Sequence, residues 1–412
     1  MHSEYIKTYY PLMLVLIWII WIIKARPPAR VSISSLYILS YFAFSQNFFL
    51  FYRELHQAIQ IFLILKLIDY AIKNYKLPRI TKAYFVFFLF ILISLLFNVL
   101  DQNAKESIIN FLVVAGVAIC IVTLIRSRDD FDQFMNLVAI LSVAVAVSGI
   151  LESLLSGVKI GIEGLSSNRN YFALFVSIGF CVIYATWGNW KKYAALVILF
   201  LAILLSGSRA AFFFIIVLLL MSITVTFEYK KIGAVAVILL GVFYLSDLEL
   251  RLLDVKDTSG SDAERIIFAE MSYRMAIDNP LTGVGWGRFR SEFSNYKKLF
   301  DNPMLANQTV LNLQIQDQRV THNDFVKILG ELGFLAFFTA IGFVIYTAIY
   351  MWQNTLYRQA YIVPIWVGVV AFSVTHNNLN AALTWFLLFL PYHPVLIQHR
   401  PQSKCSHASG LL

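Results

Sequence analysis

Long apolar runs, separated by short polar segments, fill most of the chain between residues 9 and 397. Many of these runs approach the roughly 20 residues that a helix needs to cross the apolar part of a bilayer. Inside a bilayer the backbone has no water to bond, so each such run predicts a helix. The pattern predicts about thirteen membrane spans, at 9–23, 32–51, 55–73, 83–100, 108–125, 134–155, 170–187, 193–207, 210–226, 231–246, 332–351, 359–375 and 379–397.

The composition agrees with this pattern. Hydrophobic residues make up 59% of the 412 residues and charged residues only 14%, whereas a soluble domain is nearer about half apolar and a quarter charged. The sequence therefore predicts an all-α fold, a polytopic transmembrane helical bundle. We expect residues 1–412 to form a single integral membrane domain.

The charges of the short loops predict how the bundle is oriented. Lys and Arg concentrate in every second connection, which assigns these connections to the cytoplasm. The connections between them, including the long segment 247–323, then face outward. The four basic connections are "KNYKLPRITK" (73–82), "RSRDD" (126–130), "NWKK" (189–192) and "EYKK" (228–231).

The number of spans decides where the chain begins. Thirteen spans place the N-terminus outside and the C-terminal tail in the cytoplasm. The spans at 32–51 and 55–73 are the weakest, because polar residues interrupt the first and Lys66 and Asp69 lie in the second. If one of them does not cross, twelve spans remain and both ends lie in the cytoplasm.

The long outer segment 247–323 is predicted to be a functional, partly helical loop. It is too long for a structureless connection, and a polar insertion of this size is usually functional. Ser261 and Glu264 form a capping-box pattern that predicts a helix start. Apolar residues follow at near-helical spacing, and Pro280 with the glycines of 283–289 predicts the helix end.

The net charge and the cysteines narrow the function classes. A formal charge of +9 raises the question of nucleic acid as a partner, but much of the Lys and Arg lies in topology-setting loops. No basic, aromatic surface remains outside the membrane, so we expect no nucleic-acid binding. The three cysteines lack metal-ligand spacing, and no carboxylate cluster supplies a metal site.

Arg209 is the first candidate for chemistry. It lies in "LLSGSRAAFFF", at the predicted outer end of a span and beside the small residues 206–208. One interpretation is an interfacial arginine whose guanidinium reaches the lipid headgroups. The other is an anion-binding group, because small neighbours leave space for an anion and ionisable groups at span ends are often functional.

Arg265 and the loop that follows its helix supply further arginines. Arg265 is predicted in the first turn of the loop helix, where the helix dipole disfavours a cation unless an anion such as phosphate lies between them. A pair with an acidic residue of the same turn is the alternative. The loop "NPLTGVGWGRFR" (279–290) carries Arg288 and Arg290, and its Trp286 is a candidate to stack on a sugar ring. A plain turn-rich loop is the alternative there.

The stretch "THNDFVKILGELG" (321–333) supplies a candidate general base. Thr321 is predicted to cap a helix that begins at His322, with Asp324 completing the cap. In the first turn the dipole disfavours imidazolium, and a neutral imidazole is what a general base must be. The alternative is a histidine that is merely hydrogen-bonded at a helix end. His376, in "VTHNNLN", is a second-rank candidate.

Together these segments resemble the O-antigen ligase and polymerase superfamily. "SRAAFF" resembles the family's arginine at a span start, and "AERIIFAEMSYRMAIDNPLTGVGWGRF" resembles its outer-loop arginine helix and glycine-rich segment. "HNDFVKILGELG", with His322-Asn323 followed by Gly333, resembles the ligase pattern. "SSNRNYFALF" (166–175) resembles a fourth segment, with Asn170 at a span start. Ala336 departs from the ligase pattern, which slightly favours a polymerase.

The resemblance implies an inverting, GT-C-like glycosyltransferase that uses no metal and no cofactor. Arg209 and Arg265, with Arg288, would bind the diphosphate of an undecaprenyl-diphosphate-linked glycan, and His322 would activate the acceptor hydroxyl. The enzyme would lie in the bacterial inner membrane, among membrane lipids, with its active site facing the periplasm. Further candidate substrate contacts are Asn170, Trp286, Arg290, Asn323 and His376.

Three functions stay open at this point. The leading interpretation is O-antigen ligase, with lipid A-core as the acceptor. The second is a polymerase of O-antigen or another surface polysaccharide, in which a second lipid-linked glycan is the acceptor. A transporter is the remote alternative, because it predicts ionisable residues near the membrane midplane and paired repeats, whereas the candidates here cluster at one face.

Overall fold

The computed structural model describes residues 2–43, 52–74, 80–157, 161–164, 168–208, 211–212, 214–218, 261–297, 321, 323–354, 361–376, 379 and 381–397. These residues are predominantly helical, and none of them lies in a β-strand. The predicted all-α fold is confirmed. The helices are α1 (His2–Ala25), α2 (Ala29–Ala43), α3 (Tyr52–Asn74), α4 (Ile80–Phe97), α5 (Gln102–Leu124), α6 (Arg128–Ser156), α7 (Arg169–Thr186), α8 (Asn189–Ser206), α9 (Ser261–Asp278), α10 (Phe289–Lys297), α11 (Asp324–Gln353), α12 (Ile362–Thr375), α13 (Ala382–Phe389) and α14 (Pro394–Ile397).

Five of these helices are long and apolar enough to cross a membrane: α5, α6, α7, α8 and α11. Shorter apolar helical stretches lie within α1, α2, α4 and α12 and at the end of the chain. Large apolar side chains on these helices, such as Leu65, Leu96 and Phe338, are exposed, as expected where lipid is the solvent. The chain is therefore a multi-pass membrane protein.

Three of the predicted spans are not matched by one described helix. The spans at 210–226 and 231–246 lie largely outside the described residues. The predicted span 379–397 is not one helix. It consists of α13, a 3-10 turn at Leu390–Tyr392 and the four-residue α14. Pro391 lies in that turn, and proline has no N–H group with which to continue a helix.

Small residues bring the central helices α6 and α7 close together. A Cβ atom on Gly179 of α7 would lie 2.2 Å from the Cβ atom of Ser142 on α6. The Ser142 hydroxyl in turn donates to the carbonyl of Phe175, at 3.1 Å. Close backbone approach with a buried hydroxyl contact is how membrane helices associate where lipid removes the hydrophobic drive.

An ion pair joins the first turn of α2 to the first turn of α6. Arg30 Nε lies 2.8 Å from Asp130 Oδ2, and Asp130 is buried. The same carboxylate accepts from the N–H groups of Arg126 and Ser127. The α1–α2 and α5–α6 connections therefore lie at one end of the bundle.

The loop helix predicted after Ser261 is confirmed as α9, which begins at that residue and ends at Asp278. Its buried face includes Phe268 and Met271, and it packs against α10 through Phe293. T-shaped contacts at 5.8 and 5.7 Å join the Phe268 ring to the rings of Phe289 and Phe293. The loop therefore has a small apolar core of its own.

Helix α11 is interrupted at Gly333, whose φ of 80° and ψ of −177° are not helical. The interruption leaves carbonyl groups of α11 that can accept hydrogen bonds from the glycine-rich loop between α9 and α10. The N–H groups of Val284 and Gly285 donate to the carbonyls of Gly330 and Glu331, each at 3.0 Å. A Cβ atom on Gly283 would lie only 2.3 Å from the Glu331 carbonyl carbon, so glycine is required for this contact.

Candidate active site

A cavity of about 490 Å³ opens where five parts of the chain meet at one end of the bundle. The contributing parts are the start of α5, the start of α7, the loop into α10, the start of α11 and the end of α12. All of them lie on the side that the basic-loop pattern assigned to the outside. The lining residues are Asn103, Glu106, Ser107, Asn110, Asn168, Tyr171, Gly287, Phe289, Arg290, Thr321, Lys327, Glu331 and His376.

One wall of this cavity carries cationic side chains. Arg290 is exposed at the start of α10, and Lys327 is buried in the first turn of α11. The Lys327 ammonium lies 4.3 Å from the centre of the Trp286 ring and 3.9 Å from Glu331 Oε2. Cation–π attraction strengthens when the pair is desolvated, so Trp286 supports a charge at the cavity wall.

Glu331 is the buried carboxyl group that holds this wall together. Its side chain is 2% exposed. Its Oε2 accepts from the Gly287 N–H at 2.9 Å, and its Oε1 accepts from the Phe289 N–H at 3.1 Å. Both oxygens therefore fix the backbone that leads directly into Arg290. Ser94 of α4 adds a hydrogen bond to the Thr282 carbonyl of the same loop, at 2.7 Å.

Arg288, predicted to bind a diphosphate, is engaged within the protein. Its Nη2 donates to Glu292 at 2.5 Å, its Nη1 to the Val284 carbonyl at 3.0 Å and its Nε to Asp101 at 3.3 Å. Arg288 therefore ties the loop to the residue that caps α5, and it is not among the residues that line the cavity.

The Asp101 carboxylate is the partner in this tie. Burial alone raises its pKa, but hydrogen bonds from the Ala104 N–H, the Ser291 hydroxyl and Arg288 outweigh that effect and lower it. The Ser291 hydroxyl donates to Asp101 Oδ2 at 2.8 Å. The loop and α5 are therefore joined by a carboxylate that stays ionised at neutral pH.

Trp286, predicted as a platform for a sugar ring, is 1% exposed. Its ring makes T-shaped contacts with Phe87 and Phe111 and carries Lys327 over its face. Its indole N–H points to the Ser107 carbonyl, at 3.4 Å. The interpretation of Trp286 as a sugar platform is corrected: the ring is packed inside the protein and has no open face for a sugar.

The predicted cap of α11 is also corrected. The helix begins at Asp324, and its N-cap is Asn323, whose amide oxygen accepts from the N–H groups of Phe325 and Val326. Thr321 is buried in the cavity wall and is not the cap. Asn is as good an N-cap as Thr or better. His322 itself lies outside the described residues, and it precedes the cap, so the argument from the helix's first turn does not apply to it.

Asp324 has a different partner from the predicted one. Its carboxylate accepts from the N–H of Leu379, at 3.2 Å, and the side chain is buried. The residue expected to complete a local cap instead joins the start of α11 to the segment after α12. Asn323, a candidate substrate contact, uses its amide oxygen in the cap.

Of the two arginines that the family resemblance assigns to the diphosphate, the described residues include Arg265 but not Arg209. Arg209 lies outside the described residues. The chain reaches it through Gly207, which ends α8 in the left-handed conformation with a φ of 62°, and through buried Ser208. Arg265 is the fifth residue of α9 and is half-buried. It is not among the described residues that line the cavity.

Asn170 and His376 lie at helix ends near the cavity. The Asn170 N–H donates to the side chain of Asn168, which caps α7. Asn168 and Tyr171 line the cavity, whereas Asn170 does not. His376 is the C-cap of α12 and lines the cavity with a half-buried side chain.

The structure adds site residues that the sequence reasoning missed. Lys327 and Glu331 are charged residues four apart in an otherwise apolar stretch, and an ionisable residue in a membrane helix is itself a functional signal. Asn103, Ser107 and Asn110 recur at helical spacing at the start of a span. Both signals are visible in the sequence, but only the fold shows that they face one cavity.

Comparison with known families gives one match. The family model described as O-antigen ligase matches residues 194–341. This segment runs from α8 into α11 and includes Arg209, Arg265, Arg290, His322 and Lys327. No curated protein matches the chain.

Proposed function

We propose that the chain is an O-antigen ligase of the O-antigen ligase superfamily, and the family model that matches residues 194–341 supports this proposal. In this proposal it transfers a polysaccharide from undecaprenyl diphosphate to lipid A-core during lipopolysaccharide biosynthesis. The family match supports a ligase- or polymerase-type glycosyltransferase function in general terms. The acceptor, the periplasmic orientation of the cavity and the location in the bacterial inner membrane belong to the proposal.

The cavity with its cationic wall is the observation that carries this proposal. Arg290 and Lys327 both lie in the family-matched segment and both line the cavity. The cavity forms at the ends of membrane helices, which is the depth at which a lipid diphosphate lies when its chain is in the bilayer. Arg and Lys are the side chains that stabilise phosphate groups, through charge-assisted hydrogen bonds.

The proposed reaction is a single displacement at the anomeric carbon. The acceptor hydroxyl oxygen bonds to that carbon while the bond from the carbon to the diphosphate oxygen breaks. Undecaprenyl diphosphate leaves with the electron pair, and His322 takes the hydroxyl proton as general base. Attack from the side opposite the leaving group inverts the anomeric configuration.

The leaving group needs cations that stabilise its growing charge. We assign this role to Arg209 and Arg265, which match the family pattern, together with Arg290 and Lys327 of the cavity wall. Arg288 has a supporting role, because Asp101 and Glu292 already engage its guanidinium. Side-chain cations at the diphosphate fit a mechanism without a divalent metal, and transfer is expected to continue in excess chelator.

The sequence neighbours of His322 belong to the site, which supports the assignment of His322 as the general base. Thr321 lines the cavity, and Asn323 caps the helix that begins one residue later. His376 also lines the cavity and is the competing candidate for the base.

Initial transfer rates of His322→Ala and His376→Ala test the assignment of the base. Loss of a general base typically costs about 100- to 10,000-fold in rate. The His322 variant should lose that much while it still inserts and binds undecaprenyl diphosphate. The His376 variant should lose much less. A His322 variant that keeps more than about a tenth of the wild-type rate, or a more damaging His376 variant, contradicts the assignment.

A polymerase is the second candidate. Ala336, 1% exposed in α11, occupies the position where the ligase pattern has Gly, Thr or Tyr. A deletion strain separates the two functions. Long glycans that stay on the carrier lipid, with none on lipid A-core, indicate a ligase. A single repeat unit on the core indicates a polymerase.

A further inference from the structure

The first turns of α5 carry a polar stripe that faces the cavity. The stripe consists of Asn103, Glu106, Ser107 and Asn110, which are spaced three or four residues apart and therefore lie on one helix face. All four line the cavity. The remainder of α5, from Phe111 to its end, is almost entirely apolar. Asn110 is the third residue of the predicted span 108–125, and the other three lie just before that span, at the start of α5.

Part of the hydrogen-bonding capacity of the stripe is not used by the described residues. The amides of Asn103 and Asn110 make no side-chain hydrogen bond to any other residue of the described ranges. Glu106 accepts from Gln102 at 2.8 Å through one oxygen. An Asn amide has two donors and two acceptor sites, so two such amides offer several bonds to a ligand.

The stripe gives the cavity two walls of different chemistry. Arg290 and Lys327 on one wall suit a phosphate, whereas amides, a hydroxyl and a carboxylate on the other suit groups that both donate and accept. Sugar hydroxyls are such groups. Asn168 and Tyr171 of α7 line the cavity beside the stripe. The cavity volume of about 490 Å³ lies within the roughly 300–1,000 Å³ range of small-molecule sites.

We propose that the α5 stripe is a saccharide subsite, which binds the hydroxyl groups of the sugar next to the reacting bond. The proposal rests on the proposed function for the reaction, but it adds residues outside the family-matched segment 194–341. The sugar comes from one of two sources, the lipid-linked donor or the core oligosaccharide of the acceptor. Both present the same hydroxyl chemistry to the stripe.

Binding measurements with three lipids separate sugar recognition from phosphate recognition. The lipids are bare undecaprenyl diphosphate, the same lipid carrying its glycan, and lipid A-core. Asn103→Ala and Asn110→Ala should each weaken binding of one glycan-bearing lipid by about 2- to 10-fold, since a net hydrogen bond is worth roughly 0.5–1.5 kcal/mol. Binding of bare undecaprenyl diphosphate should stay unchanged.

Ile109→Ala is the matched control, because Ile109 is exposed on the same helix and is not among the residues that line the cavity. It should bind all three lipids like the wild type. Asn110→Ser replaces the amide with a hydroxyl, which can still donate and accept a hydrogen bond, so it should recover part of the loss that Asn110→Ala causes. A loss on the donor assigns the stripe to the donor sugar, and a loss on lipid A-core assigns it to the acceptor.

Two results overturn the proposal. In the first, both glycan-bearing lipids bind the Asn variants as tightly as they bind the wild type. In the second, the variants lose affinity equally for bare undecaprenyl diphosphate. Failure of the wild type to bind undecaprenyl diphosphate in any form refutes the proposed function instead, so the two failures are distinguishable.

Discussion

Replacing Glu331 by Gln tests whether one buried carboxyl group positions the glycine-rich loop. The two carboxyl oxygens accept from the Gly287 and Phe289 N–H groups at 2.9 and 3.1 Å. Gln has nearly the same shape but only one acceptor oxygen. Its NH₂ group must therefore face one of the two backbone N–H groups, and that N–H loses its partner.

The size of the effect follows from burial. A buried donor left without an acceptor costs about 1–3 kcal/mol, whereas a folded protein of ordinary stability has about 5–15 kcal/mol. The variant should therefore fold, but the glycine-rich loop should be held less firmly in its docked position. Because Arg290 follows this loop directly, we expect the transfer rate to fall about 10- to 100-fold, the cost of a displacement on the order of 1 Å at a reacting centre.

The assay is the initial transfer rate at saturating donor, measured beside the thermal unfolding temperature. Glu270→Gln is the control, because it makes the same chemical change on α9, where Glu270 pairs with Arg274 at a half-exposed site. Glu331→Asp should also be slow, since the shorter side chain cannot reach both N–H groups. A Glu331→Gln enzyme with the wild-type rate, or one whose rate falls only with its folded fraction, refutes the reasoning.

Four further outcomes test other parts of the structure. Arg209→Lys and Arg265→Lys keep the charge but lose the planar guanidinium, so transfer should fall sharply; full activity of both variants refutes a bidentate role. Gly283→Ala should misplace the loop, because its Cβ would lie 2.3 Å from the Glu331 carbonyl carbon, and a normal rate contradicts that contact. Hydrogen bonds and an ion pair lower the pKa of Asp101 in the folded protein. The stability that Asp101 contributes is therefore fully present above the ordinary carboxyl pKa of about 4, and it is lost as the pH falls through the lowered pKa. Asp101→Asn should flatten this acid dependence of the thermal unfolding temperature. A cysteine at Ser294 should react with an impermeant reagent in outer-membrane-permeabilised cells, and a requirement for inner-membrane lysis refutes the periplasmic loop.

The helical architecture was predictable because membrane physics constrains it strongly. An apolar run near the thickness of the bilayer has few alternatives to a helix. The helix after Ser261 was predictable for a local reason, namely a cap pattern, apolar spacing and a following proline. The broken end at 379–397 was not, because an apolar run looks the same whether it continues or turns at Pro391.

The errors at the site have a common physical origin in long-range contacts. Thr321 and Asn323 are both good caps, and the sequence does not show that Asp324 bonds instead to the N–H of Leu379. Likewise, Trp286 and Arg288 looked available because the aromatic partners of Trp286 and one partner of Arg288, Asp101, lie far away in the sequence. Trp286 packs on the aromatic rings of α4 and α5, and Arg288 pairs with Asp101.

Gly287 is a point at which the two walls of the cavity come into close contact. Gly287 donates to Glu331 on the cationic side, at 2.9 Å. On the other side, a Cβ atom at Gly287 would lie 2.4 Å from the Ser107 hydroxyl and 2.8 Å from the Asn103 carbonyl. Its φ of 83° also favours glycine. A larger residue would push the polar stripe away from Lys327. A ligand with a sugar beside a phosphate needs both walls at a fixed spacing, so this contact sets the geometry that such a ligand would require.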